Sequence, residues 1–374
     1  SFWKMPTPAQ ATTDSAALTP RTAADQLLQL LRDAVRGQMI ADVPLGAFLS
    51  GGIDSSLIVA LMQEASDRPV KSFTIGFSEP RFDEAPFARA IARHLGTDHH
   101  ELYVTPQAAL DVVEKLPRIY SEPLGDSSQI PTFMVACLAR QHVTVALSGD
   151  AGDELFCGYA RYFAAWDMWQ RLRCLPGPVR GALGPLLSAM PVAPLNAAGR
   201  VLQRLVPGPF QRHRLGDDVR RTAPLLGARS AMDVYLSLLS QDPTAGTLVV
   251  GGCRDTWPEA DSVSKESEVA YFEAVMQLDR VRYLPDDILV KVDRAAMAVS
   301  LETRVPFLDH RVVQFAIGLA QHHKRAESAA VGNQGKQILR ELLSRYIPRP
   351  LFERPKAGFS VPVAAWLKGP LRMW

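Results

Sequence analysis

A buried-strand signal that runs straight into paired glycines, and from them into a helix, restricts the fold of this chain more than any other feature. The apolar run Leu45-Gly46-Ala47-Phe48-Leu49 leads into Ser50-Gly51-Gly52-Ile53-Asp54-Ser55-Ser56, and a helical pattern follows from Ser55 to Glu64. The same alternation continues downstream. Strand patterns recur at Val70–Phe77, His100–Val104 and Val143–Leu147, with helical patterns at Glu84–Leu95 and Thr132–Gln141 between them. Strands of about five residues alternating with helices of about ten to fifteen predict an α/β fold with a parallel sheet covered on both faces.

An amphipathic helix precedes these units, with Leu27, Leu28, Leu31, Val35 and Met39 at helical spacing. Residues 1–20 place Pro6, Pro8 and Pro20 among Thr, Ala and Ser and read as a linker. Residues 21–163 fit one doubly wound nucleotide-binding core. From 164 to 374 the strand signals fade, and helical pieces rich in Trp, Leu, Arg and Pro take over. Gln321–Lys336, with Gly332, Asn333 and Gly335, reads as a mobile loop ahead of a helix over Gln337–Tyr346. The chain opens on Ser1 and stops at Trp374 inside a helical pattern, so both ends read as cut from a longer polypeptide.

Composition narrows the class of function. With 47% apolar residues a sizeable core can be buried, and a formal charge of +2 gives no basic surface for nucleic acid. Cys137, Cys157, Cys174 and Cys253 form no CxxC pair and no metal-finger spacing, which reads as reduced thiols in a cytoplasmic protein. The N-terminus carries no signal or transit pattern. No apolar stretch approaches the roughly 18 residues needed to cross a bilayer, and Pro185, Pro191 and Pro194 break the richest one, Ala182–Leu205.

The loop itself is an anion site by construction. A strand-to-helix junction points several backbone N–H groups and a helix dipole at one spot, and adjacent glycines allow close backbone approach. The serine hydroxyls can donate to phosphate oxygens, and Asp54 can hold a divalent cation that neutralises them. The lysine of the common NTPase loop and the third glycine of the dinucleotide fingerprint are both missing. The string Ser-Gly-Gly-Ile-Asp-Ser resembles the pyrophosphate loop of the PP-loop ATP pyrophosphatases, which cleave ATP between the α- and β-phosphates to make acyl-adenylates.

A second strand, glycine-rich turn and helix follows at Leu147-Ser148-Gly149-Asp150-Ala151-Gly152-Asp153-Glu154-Leu155-Phe156-Cys157-Gly158-Tyr159. In a parallel sheet both turns lie at the carboxyl ends of their strands, where ligands bind. Asp150, Asp153 and Glu154 crowd within five residues and would repel one another without a cation or a proton. This string resembles the second signature of asparagine synthetases and of beta-lactam synthetase. Phe73-Thr74-Ile75-Gly76-Phe77, Ser121–Ser128, Lys291–Met297, Leu301–Asp309, Gly335–Arg340 and Arg354–Phe359 are similar to further segments of that family, in family order.

The resemblance implies a doubly wound parallel five-stranded sheet with a helical C-terminal part that contributes Lys336. It implies ATP as substrate with Mg2+, held by Asp54 and Asp153. Leu49, Ser50, Gly51, Gly52, Ser55, Ser56, Ser148 and Gly149 would line the ATP and pyrophosphate site, and the Ile75 backbone would face the adenine. Glu122, Asp126 and Ser127 would line the acceptor pocket, and Lys336 would stabilise charge at the α-phosphate. Asp150 stands where well-known bacterial members carry a glutamate proposed as base, one methylene longer. The activity implied is adenylation of the aspartate β-carboxylate followed by attack of ammonia. In the family that ammonia comes from glutamine through an N-terminal glutaminase domain, of which residues 1–20 would be the outgoing linker. A homodimer is compatible with this reading; nucleic acid and membrane are not expected as partners. The rivals are a relative adenylating another carboxylate, such as a beta-lactam-forming enzyme or an amidotransferase, a degenerate binding module, and a tRNA-modifying PP-loop enzyme.

Overall fold

The computed structural model of the chain describes residues 3–6, 18–197, 215–240, 267–326, 335–354, 361–369 and 371–372. The first helix, α1 (Pro20–Gln38), starts where its sequence demands. Pro20 occupies the first turn, where its missing N–H costs nothing, and the Thr19 hydroxyl accepts from Thr22 N at 3.2 Å. Its buried face carries Leu27, Leu28, Leu31 and Val35. The chain then alternates β1 (Leu45–Phe48), α2 (Ile53–Glu64), β2 (Lys71–Phe77), α3 (Ala85–Leu95) and β3 (Asp98–Val104). Further on come α4 (Gln129–Arg140), β4 (Val145–Leu147) and the short α5 (Gly152–Leu155).

All strand pairs are parallel, in the order β3-β2-β1-β4-β5. The expected doubly wound five-stranded sheet is therefore present. The chain moves outward from β1 to β3, then returns to the other side of β1 with β4, so β1 and β4 flank the switch point at which ligands bind in such sheets. The strands are buried on both faces. Val145 and Leu147 pack into one cluster with α1, α2 and α3, whereas Ala146 between them packs into the other with Phe73, Ile75 and α4. Helix α2 lies so deep that Leu57 to Met62 are all buried, which explains its lack of a polar face.

The fifth strand, β5 (Glu302–Arg304), lies beyond residue 163, where the sequence carries no strand pattern. Its three residues are polar and carry no alternation, and it exists through backbone pairing. Glu302 N donates to Thr144 O at 2.9 Å and Ser148 N to Arg304 O at 2.8 Å. That second bond ties the edge strand to the second glycine-rich turn. Downstream stand α6 (Val290–Met297), α7 (His310–Gly318) and α8 (Gln337–Leu343). In the span read as a mobile loop, Gln321–Lys324 forms a helical turn and Arg325 bridges to Gly335; residues 327–334 lie outside the described residues.

By compactness the chain forms two units, one of Ser1–Gly158 with Met276–Trp374 and the other of Tyr159–Val275. The sequence boundary at 163/164 falls near the first junction. Residues 276–374 return to the first unit, which accords with the contribution of Lys336 that the resemblance implies, although helical composition alone does not reveal which core a helix joins. In the second unit Tyr162, Trp166, Tyr235, Tyr271 and Phe272 form an aromatic cluster, with Tyr271 Oη donating to Tyr162 O at 2.9 Å. Cys137, Cys157 and Cys174 are free thiols, and Cys253 lies outside the described residues. No helix among the described residues is long and apolar enough to cross a membrane.

Candidate active site

The first loop is held open by its own serines. Ser50 Oγ lies 3.0 Å from Ser55 Oγ, Gly52 N donates to Ser50 Oγ at 3.2 Å, and Ser50 N donates to Ser55 Oγ at 3.2 Å. Gly52 is the N-cap of α2 and offers no side chain to the first turn, so the N–H groups and the positive end of the helix dipole stay available to an anion. Leu49 is buried, its N–H bonded to Phe73 O at 2.9 Å, and it fixes the loop to the sheet. Ser56 Oγ is buried and has no hydrogen-bond partner among the described residues. Ile75 is buried in β2, in the other half of the sheet from β4.

The second loop packs directly onto this turn. A Cβ on Gly149 would stand 2.6 Å from Ser55 N, and one on Gly152 would stand 2.5 Å from Asp54 Cγ. Only glycine allows such an approach. Gly158 is equally constrained, against Asp153 and Lys336. Gly152 and Gly158 were not singled out from sequence. Their neighbourhood in the Gly-rich signature was the available signal, but a close approach is a tertiary event. Ala151 and Cys157 adopt left-handed conformations beside the same loop.

Lys336 joins the two loops. Its ammonium pairs with Asp54 Oδ2 and lies 2.8 Å from Asp153 Oδ1. It is itself left-handed at φ +59°, at the start of α8, with its N–H bonded to Phe156 O at 3.0 Å. A non-glycine residue there costs about 1–2 kcal/mol, so the surrounding structure must impose it. Burial alone would lower the lysine's pKa. The charges of Asp153 and Asp54 outweigh burial and hold it above the ordinary value.

Asp150 stands apart from this triad. Its carboxylate accepts from Ser148 Oγ at 2.5 Å, and burial pushes it above the usual aspartate range despite that bond. A carboxylate so placed is a stronger base than an exposed one.

The segment read as an acceptor pocket divides. Asp126 Oδ2 pairs with Lys291 Nζ of α6 at 2.6 Å, and Ser128 donates to it through N at 2.8 Å and Oγ at 2.7 Å. Burial would raise Asp126, but Lys291 and Ser128 reverse this and hold it below the ordinary 3.8. Glu122 and Ser127 are exposed, and no side-chain hydrogen bond ties either to the two loops. Asp126 thus fastens the segment to α6, a role sequence did not assign. Asp126→Asn should lower the free energy of unfolding by about 2 kcal/mol at neutral pH, because Lys291 keeps its buried charge but loses its direct ion pair. The folded pKa is depressed, so the pair contributes above the unfolded value and is lost as pH falls through the folded one. The gap between variant and wild type in urea titrations should therefore close below the ordinary 3.8. A gap that persists in acid would rule this role out.

Two carboxylate oxygens facing one ammonium form a donor set that also suits a hard divalent cation. No group of three or more His, Cys, Asp or Glu side chains that could hold a metal occurs among the described residues. Magnesium fits this arrangement, since it usually takes one or two carboxylates and completes its shell with phosphate oxygens and water.

Comparison with known proteins places these features in context. The family model for asparagine synthase matches residues 26–374. The chain is 31% identical over 358 residues to a glutamine-hydrolysing asparagine synthetase of Bacillus subtilis, covering 95% of this chain and 52% of that protein. It is 33% identical over 355 residues to a putative asparagine synthetase of Mycobacterium bovis, covering 94% and 50%. It is also 24% identical over 364 residues to the amidase chyE of Penicillium rubens, covering 91% and 52%. The chain spans about half the length of the curated relatives it matches.

Proposed function

Because the chain belongs to the asparagine synthase family, we propose that it carries out ATP-dependent amide formation, activating the β-carboxylate of aspartate as an acyl-adenylate for attack by ammonia. The observation that carries this reading is Lys336 bridging Asp54 and Asp153, which stand in the first turns of the helices that follow the two loops at the switch point of the sheet.

In the proposed reaction a carboxylate oxygen attacks the α-phosphorus, the bond to the bridging oxygen breaks, and pyrophosphate leaves. Ammonia then attacks the acyl carbon, loses a proton, and AMP departs. Ser50, Gly51, Gly52, Ser55 and Ser56, with the N-terminus of α2, hold the pyrophosphate; Ser148 and Gly149 close the site from the second loop. Asp54 and Asp153 would hold magnesium, which when bound would neutralise phosphate charge. Lys336 moves its positive charge from the two carboxylates to the α-phosphate oxygens, where negative charge builds. Asp150, made more basic by burial, accepts the proton from the incoming ammonia. The protein's share is positioning and charge stabilisation, since adenylation itself makes the leaving group.

Glutamine as ammonia source, an attached glutaminase domain, a homodimer and a cytoplasmic location remain parts of the same proposal. Similarity to the amidase chyE over 91% of the chain supports a second reading, in which another carboxylate is activated by the same ATP chemistry. One assay separates the two: pyrophosphate release from ATP, with ammonia and a panel of amino and carboxylic acids. Aspartate should stimulate release more than any other acid. Stimulation by a different carboxylate alone would replace aspartate as acceptor, and no release with any acid would remove the ligase reading.

A further inference from the structure

Arg354 has no part in the chemistry above, yet it grips the phosphate loop from behind. Its Nη2 donates to Glu84 Oε1 at 3.0 Å and makes a longer contact, 3.5 Å, to Ser50 O. Its guanidinium lies over the Phe87 ring, 4.1 Å from the centroid. The ion pair is largely enclosed, with 17% of the Arg354 side chain and 12% of Glu84 exposed. Glu84 is the N-cap of α3 and Phe87 lies in its first turn, so one arginine connects α3 to the loop.

The loop is seated on α3 without slack. Gly51 adopts φ +73°, and a Cβ there would stand 2.9 Å from Ala88 N and 3.1 Å from Phe87 Cβ. The Ser50–Gly51 peptide is trans, so its C=O and N–H point in opposite directions. Holding the Ser50 carbonyl on the α3 side therefore turns the Gly51 N–H away from α3. That N–H has no acceptor among the described residues, although Gly51 is buried. A buried backbone donor without an acceptor is costly unless a ligand supplies one.

We propose that Arg354, aligned by Glu84 and Phe87, is a positioning residue that aims the Gly51 N–H at the pyrophosphate portion of the nucleotide. The inference rests on the nucleotide reading given above. Glu84 cancels the guanidinium charge, so Arg354 acts through geometry and not as a free cation at the phosphates. Lysine keeps the charge but has neither the planar fork nor the stacking face.

The test is equilibrium binding of inorganic pyrophosphate with magnesium, and separately of AMP, to the whole chain and its variants. Arg354→Met and Arg354→Lys should each weaken pyrophosphate binding about tenfold and leave AMP binding within about twofold. Unchanged pyrophosphate affinity in Arg354→Met overturns the clamp, as does full rescue by Arg354→Lys or an equal loss for AMP. Should Arg354→Met fail to fold, Arg354→Lys and Glu84→Gln decide, the latter losing pyrophosphate affinity in the same direction. A wild-type chain that binds neither ligand overturns the nucleotide reading itself. A wild-type chain that binds both, with variants that match it, removes only the clamp.

Discussion

Replacing Lys336 by methionine should lower pyrophosphate release about 10²- to 10³-fold, the range expected when a single electrostatic donor is removed from a developing oxyanion. The same change should destabilise the resting protein. Asp54 and Asp153 would then face each other without the ammonium that now pairs with both. Breaking an enclosed ion pair by deleting one partner costs about 3–5 kcal/mol, because the remaining charge stays desolvated. A divalent cation can take up the vacated place, so magnesium should raise the thermal midpoint of Lys336→Met more than that of the wild type. The sign with pH follows from the raised lysine pKa. The wild-type contribution is complete below the ordinary value of 10.5 and is lost only as pH rises through the higher folded value. Turnover should be measured with saturating magnesium, at a temperature where circular dichroism reports a folded variant. Turnover within a few-fold of wild type, or a midpoint indifferent to magnesium, would remove Lys336 from the site.

What could be read in the sequence, and what could not, follows from the range of each interaction. The β1–loop–α2 unit is local. An apolar run, two glycines and a buried helix lie within 20 residues, and periodicity finds them. β5 is invisible to the same method, because Glu302, Thr303 and Arg304 present no apolar alternation and the strand is defined by partners near residues 144–148. Lys336 is the sharper case. It meets Asp54 across 282 positions of chain, and only resemblance to a family could select it from 41 lysines and arginines. Asp126 shows what resemblance leaves out. The matched segment implies a place near the acceptor, and the fold adds an ion pair with Lys291, 165 positions away, that no local pattern announces. The glycines at 152 and 158 belong to a third class. Their sequence context is conspicuous, but the need for a missing side chain appears only when the second loop closes on Asp54, Asp153 and Lys336.

Asp54→Asn should reduce magnesium-dependent ATP turnover about 10²-fold or more while costing far less stability than the loss of Lys336. The substitution keeps the shape of the side chain and removes one charge. It leaves Lys336 paired with Asp153, so no enclosed ion loses its last partner, and it relieves the repulsion between the two carboxylates. The cation fares worse. An amide offers one neutral oxygen where a carboxylate offered a charged one, and half the protein's anionic donors are gone. Magnesium titrations of ATP turnover should therefore shift to higher concentration in Asp54→Asn, with a melting curve close to wild type. Retained turnover at ordinary magnesium would refute the metal assignment. The double variant with Lys336→Met then tests whether the two residues act as one unit. If they do, the kinetic losses will not add, since each change alone already dismantles the same charge arrangement.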